Sequence, residues 1–140
     1  MRIMKITRYT EYALRVLVYL GLYGERLCSV AEIAERYGIS RSHLTKVVNM
    51  LGHLGVIETL RGRGGGLRLA RKPALIPLGE VVRHTEGGMD LPDCVTCPIR
   101  SSCRLPGVLG EATEAFLSVF DRYTVADVIR QGGELRRLFG

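Results

Sequence analysis

Between two short apolar runs, residues 56–60 and 67–70, stands Arg61-Gly62-Arg63-Gly64-Gly65-Gly66, four glycines in six positions. A chain can reverse this tightly only through backbone conformations with positive φ, which glycine adopts without a Cβ clash. The pattern predicts two short antiparallel strands joined at a basic tip. It also excludes a phosphate-binding loop of the Walker type, which needs Lys-Ser or Lys-Thr after the last glycine and then a helix. Here Leu67-Arg68-Leu69 follows, which reads as a strand.

The residues before the hairpin narrow the fold further. From 10 to about 23, Tyr12, Leu14, Leu17, Val18 and Leu20 fall near helical spacing, with Thr10 as a cap and Gly24 as a stop. Ser29, with Glu32 three residues on, makes a capping box for a second helix that buries Ile33 and Ala34. Gly38-Ile39-Ser40 then supplies a left-handed residue and a cap for a third helix. That helix carries Leu44, Val47, Val48 and Leu51 on one face and ends near Gly52–Gly55. Arg41, Ser42, Thr45, Lys46 and Asn49 lie on the other face. Helix, three-residue turn, helix and glycine-tipped hairpin is the order of a winged helix-turn-helix. In that arrangement Arg41, Ser42, His43, Thr45 and Lys46 reach a major groove, and Arg61 and Arg63 follow the backbone or enter the adjacent minor groove.

Charge supports this assignment. Residues 1–72 hold 13 Lys+Arg against 5 Glu, while 73–140 hold 7 Arg against 9 Asp+Glu, so a basic half of +8 is joined to an acidic half of −2. Such asymmetry points to a polyanion as partner. A hydrophobic content of 46% with 24% charged residues excludes wholesale disorder. No run reaches the ~18 apolar residues of a membrane span. Arg2 and Lys5 do not open a signal peptide, because Glu11 and Arg15 break the apolar stretch behind them. The expectation is a soluble cytoplasmic chain with reduced cysteines.

The second half reads differently. Pro77 opens a helix over 78–85 with Val81 and Val82 inward. Residues 87–103 have no periodicity and contain Cys94-x2-Cys97-x5-Cys103. A long amphipathic helix over about 105–123 follows, marked by Val108, Leu109, Ala112, Phe116, Leu117 and Phe120. Thr124 caps a short helix over 125–130, and the tail is expected to fray. The chain divides into a winged helix-turn-helix over 1–76 and a cysteine loop with a long helix over 77–140. The fold class is mainly α with a two-stranded β wing.

Three soft thiolates on one loop suit an iron–sulfur cluster. A structural zinc site wants four closed ligands, and the candidates for the fourth, His84, Cys28 and a carboxylate, stand at no finger spacing. Cys28 reads as a buried small hydrophobe. Disulfides would leave one of the clustered thiols over. The spacing itself leaves iron–sulfur and zinc both open. No nucleophile–base pair or cofactor loop suggests an enzyme.

Three stretches carry a family resemblance: Thr-Arg-Tyr-Thr-Glu-Tyr-Ala-Leu-Arg-Val-Leu (7–17), Ile-Ser-Arg-Ser-His-Leu-Thr-Lys-Val-Val-Asn-Met-Leu (39–51) and Arg-Gly-Arg-Gly-Gly-Gly-Leu-Arg-Leu-Ala (61–70). They resemble the iron–sulfur winged-helix repressors related to the cluster-biogenesis regulator IscR. Phe116-Leu117 with Tyr123-Thr124-Val125-Ala126-Asp127 is most similar to the nitric-oxide-sensing branch, NsrR. The resemblance runs over nearly the whole chain. It implies a homodimer in which the long helix packs on its partner and two recognition helices bind a palindromic operator in double-stranded DNA. It implies repression that nitric oxide relieves, with a response to iron or cluster status as the alternative.

The resemblance also implies cluster ligands. Cys94, Cys97 and Cys103 match the family's three cysteines. Glu11 takes the place of the more usual Asp, the fourth ligand supplied by the other protomer. In the biogenesis regulator that ligand is a His three residues after the last cysteine, and here the position is Pro106, which cannot bind iron. The implied cluster is 4Fe–4S, with 2Fe–2S as the alternative, since Cys94 and Cys97 stand closer together than the family pattern, a departure that bears on cluster type and fit. The other reading of Glu11 is an acid stabilising a helix N-terminus by about 0.3–1 kcal/mol.

Overall fold

A computed structural model describes residues 6–86 and 94–140. Arg2, Lys5 and the 87–93 part of the long loop lie outside them. Three helices come first: α1 (Arg8–Tyr23), α2 (Val30–Tyr37) and α3 (Arg41–Leu54). Thr7, not Thr10, caps α1, because Thr7 Oγ1 accepts the Thr10 N–H at 3.2 Å. Thr10 sits a turn inside the helix, fully buried. Ser29 and Glu32 form the expected capping box on α2, and Gly38 takes the left-handed conformation at φ 67°. Ser40 occupies the cap position of α3 without a capping bond; its hydroxyl lies 2.9 Å from Ser42 Oγ.

The wing is an antiparallel pair, β1 (Ile57–Leu60) and β2 (Gly66–Leu69), with Ile57 opposite Leu69 and Leu60 opposite Gly66. Val56 is lost to the strand because its N–H closes α3 on Leu51 O at 3.2 Å. Cys28 adds a one-residue third strand, with Cys28 N–H donating to Leu67 O at 2.9 Å and Leu67 N–H to Cys28 O at 2.7 Å. Two glycines of the tip are sterically required. A Cβ on Gly65 would stand 2.1 Å from Leu60 O, and one on Gly66 2.9 Å from Cys28 O.

A single 3-10 turn (Pro73–Leu75) leads to α4 (Leu78–Thr85), followed by α5 (Leu105–Asp121), α6 (Val125–Val128) and α7 (Gly132–Phe139). The start of α4 is tied to the start of α6: Leu78 N–H donates to Tyr123 O at 2.8 Å and Val125 N–H to Ile76 O at 3.0 Å. On the exposed side of α4, Arg83 binds both Glu114 and Asp121 of α5 at 2.7 and 2.6 Å. The short helix α6 stops at Val128, two residues before the expected end.

The tail is helical and packed, which corrects the expected fraying. Phe139 meets Tyr19 and Tyr37 edge-on, each at a centroid distance of 5.2 Å. The Arg136 guanidinium donates to Leu22 O at 2.8 Å. Gly132-Gly133 lowers the local helix propensity, and the aromatic contacts at the far end override it. Ile76, Val81 and Val125 share one apolar cluster with Leu17, Ile33, Leu44, Leu51 and Val56. The core therefore runs through both halves, with α1 passing between them.

Candidate functional site

The outer face of α3 is built by burying its inner one. Leu44, Val47 and Leu51 are at most 1% exposed, which fixes the helix's rotation and leaves Arg41, Ser42, His43, Thr45 and Lys46 all exposed. The Thr45 hydroxyl donates back to Arg41 O at 2.8 Å. Arg61 and Arg63 are exposed at the wing tip. Among the described residues, no carboxylate pairs with Arg41, Lys46, Arg61 or Arg63. Arg15, Arg26, Arg68, Arg71 and Arg83, on other faces, are each neutralised by a glutamate or aspartate. Uncompensated positive charge thus stands on α3 and the wing tip, where a polyanion can use it.

The sequence reading missed a further part of this face. Arg8, Tyr9 and Tyr12 from the first turns of α1 line a shallow cleft of about 200 Å³ with His43, Lys46 and Val47 of α3. Tyr9 is half-exposed there although it sits at the start of a core helix. The signal was present: Arg8 and Tyr9 come before the apolar periodicity of α1 settles, where a core helix has no need of a cation.

Cys94, Cys97 and Cys103 are free thiols, each partly exposed, on one ten-residue segment. The backbone of that segment is wound in successive turns, with Cys97 N–H donating to Cys94 O, Arg100 N–H to Cys97 O and Cys103 N–H to Ile99 O at 3.0–3.3 Å. Free thiols in a short chelating stretch are the donor chemistry that iron–sulfur clusters take. Their side chains do not converge here: among the described residues, no three His, Cys, Asp or Glu surround a point where a metal ion could sit. Glu11, in the first turn of α1, forms an ion pair with Arg15 one turn along. Arg15 also lies over the Tyr37 ring at 5.6 Å, and Tyr37 O–H donates to Arg15 O at 3.0 Å. Cys28 stands apart, fully buried at the wing's base, where burial pushes its thiol above the usual range. No helix among the described residues is long and apolar enough to cross a membrane.

Comparison with known proteins agrees with this architecture. The family described as "Rrf2: Iron-dependent Transcriptional regulator" matches residues 6–131. A Shouchella clausii protein named "HTH-type transcriptional regulator NsrR" is 48% identical, covering 96% of this chain and 95% of its own length. A Geobacillus kaustophilus protein of the same name is 49% identical, covering 96% of each. Among solved structures, T. potens IscR superposes with a TM-score of 0.76 at 26% identity, over 94% of this chain and 90% of that one. CymR of B. subtilis, titled a global cysteine regulator, gives 0.67 at 25% identity over 92% and 98%. The two curated relatives and CymR are named as regulators. The chain is a winged-helix member of the Rrf2 family of DNA-binding transcriptional regulators.

Proposed function

We propose that the protein is a cytoplasmic, homodimeric repressor that leaves a palindromic operator when nitric oxide reaches an iron–sulfur cluster. The observation that carries the reading is the set of three free thiols, Cys94, Cys97 and Cys103, in a chain whose α3 and wing tip form an uncompensated basic face. By donor chemistry, these three cysteines of one protomer and Glu11 of the other would hold a 4Fe–4S cluster once the loop draws the thiols together. When bound, such a cluster supplies iron that reacts directly with nitric oxide. Glu11 is the one hard oxygen donor in a soft set, and Arg15 holds its carboxylate whenever it is not so engaged.

Helix α5 supports the dimer. None of its residues is buried within the single chain, although it is more apolar than α4 or α7, with Leu105, Val108 and Val119 at 43–58% exposed. Packing α5 on its copy covers this surface and sets the distance between two copies of α3, which must match half-sites about one DNA turn, ~34–36 Å, apart. In that frame Arg41, Ser42, His43 and Thr45 reach base edges in the major groove, Lys46 meets a phosphate at its rim, and Arg61 and Arg63 hold the flanking backbone. Arg41→Ala is expected to weaken operator binding by about 1–3 kcal/mol and relax specificity at the base it reads. Lys46→Ala weakens binding to every sequence alike and lowers the salt slope by about one. Both leave the cluster's absorbance intact. Equal affinities for wild type and both variants across a salt series would remove α3 from the interface.

The test of the whole reading is anaerobic purification with assay of iron and acid-labile sulfide, then titration with nitric oxide while absorbance and DNA retention are followed on the same samples. Bleaching and release should run in parallel. The family description names iron, which favours a second reading, a response to iron or cluster supply. Protein that stays on DNA through the nitric-oxide titration but leaves it on iron chelation would establish that reading instead.

A further inference from the structure

The first turn of α1 is gripped by a carboxylate from the far end of α4. Glu86 Oε1 accepts hydrogen bonds from Thr7 N–H at 2.8 Å, from the Thr7 hydroxyl at 2.9 Å and from the Thr10 hydroxyl. Thr10 is the one fully buried polar side chain among the described residues, and its hydroxyl also lies 2.6 Å from Thr85 Oγ1. Burial would raise the Glu86 carboxyl, but the hydrogen bonds from Thr10 and Thr7 outweigh it and hold the group below the usual range. Bonds to an ionised acceptor are roughly twice as strong as neutral ones. Helix α1 does not need them for its cap, which Thr7 already supplies through the Thr10 N–H.

Two functional parts meet at this clamp. Glu86 ends α4 and stands eight residues before Cys94, so it is the last described anchor of the chain before the cysteine segment. The turns that it grips carry Arg8, Tyr9 and Tyr12 against His43 and Lys46 of α3. Any displacement of the end of α4 must either break the clamp or move the start of α1, and α1 cannot move without disturbing the cleft it shares with α3.

We infer that Glu86 is a positioning residue that couples the cysteine segment to the DNA-reading helix of its own chain, through Thr7 and Thr10 at the start of α1. The inference rests on the proposed reading of the chain as a cysteine-based DNA-binding switch. It adds a link within one protomer to the link between protomers that Glu11 would make.

Coupling between two sites is reciprocal, so the clamp can be tested from the DNA side on reduced, cluster-free, full-length protein. A duplex is first selected from a random pool by the cluster-loaded wild-type protein. Alkylation of Cys94, Cys97 and Cys103 by iodoacetamide is then followed by mass spectrometry, with and without duplex at concentrations that saturate each variant. Duplex should slow the wild-type rates by about fivefold or more, the lower end of ordinary site-to-site couplings. In Glu86→Ala and Thr10→Val the ratio should fall towards one. A merely structural Glu86 would lower the melting temperature and leave the ratio at its wild-type value, and that result overturns the inference. Should Glu86→Ala fail to fold, Thr10→Val decides alone, since it deletes one donor and keeps the volume. Wild-type protein that binds duplex with unchanged thiol rates overturns the coupling only. Cluster-loaded wild-type protein that recovers no duplex at all overturns the DNA-binding reading beneath it as well.

Discussion

Serine at any one of Cys94, Cys97 or Cys103 is expected to strip the purified protein of iron and acid-labile sulfide, and with them its nitric-oxide response. The effect is large because a soft-ligand cluster is held by chelation. Each thiolate contributes a bond that a hydroxyl does not replace, and the remaining donors then compete poorly with small thiols in solution. The same substitutions should leave the fold alone. All three cysteines are partly exposed, and the turns around them are closed by backbone bonds such as Cys97 N–H to Cys94 O, which serine preserves. Their melting temperatures should stay near that of cluster-free wild type, as for surface changes worth less than about 0.5 kcal/mol.

Cys28→Ser should behave in the opposite way. Its side chain is fully buried between α1 and the wing, and its thiol has only a weak contact with Arg26 O at 3.6 Å. A buried hydroxyl there costs about 1–3 kcal/mol, so stability falls while the cluster is retained. Wild-type nitric-oxide release in all three loop variants would sink the assignment of the site. A cluster lost in Cys28→Ser with its fold intact would move one ligand to the wing's base.

These contrasts show which parts of the molecule local sequence could reveal. Gly65 of the tip, the capping box at Ser29 and Glu32 and the left-handed Gly38 are settled by interactions within a few residues, and each is found where its chemistry predicts. Helix α4 starts at Leu78 for the same reason: Pro77 cannot continue a strand ladder but can precede a helix. Features that depend on distant partners stayed hidden. Thr7 takes the cap from Thr10 locally, but the burial of Thr10 against Glu86, 76 residues away, shows only in the fold. The tail looks frayed until Phe139 meets Tyr37 across the fold. Arg8 and Tyr9 belong to the basic face only because α1 and α3 lie side by side. For the cysteines, spacing offered a candidate donor set, but closing a ligand shell depends on geometry that no spacing encodes.

The contact between α4 and α5 is another such feature, and it carries the second large effect. Gly79 is buried on α4, and a Cβ there would lie 1.8 Å from Asp121 Oδ1 and 2.9 Å from Asp121 Cα. The carboxylate could rotate away only by releasing Arg83, which it binds at 2.6 Å, and the Cα cannot move without shifting α5 itself. On an open helix, replacing glycine by alanine would stabilise by about 1 kcal/mol. Here overpacking of about 1–3 kcal/mol opposes that gain, so Gly79→Ala should be neutral to destabilising, and Gly79→Val, with two more methyl groups and a branched Cβ, plainly destabilising. Because α5 bears the apolar face assigned to the dimer, displacing it should also loosen the dimer and weaken operator binding more than the stability loss alone explains. Thermal unfolding and sedimentation of the two variants separate these effects. A Gly79→Ala protein that melts above wild type would show that α4 and α5 do not approach as closely as this geometry requires. A Gly79→Val protein that unfolds earlier yet dimerises at the wild-type concentration would take the spacing of these two helices out of the dimer.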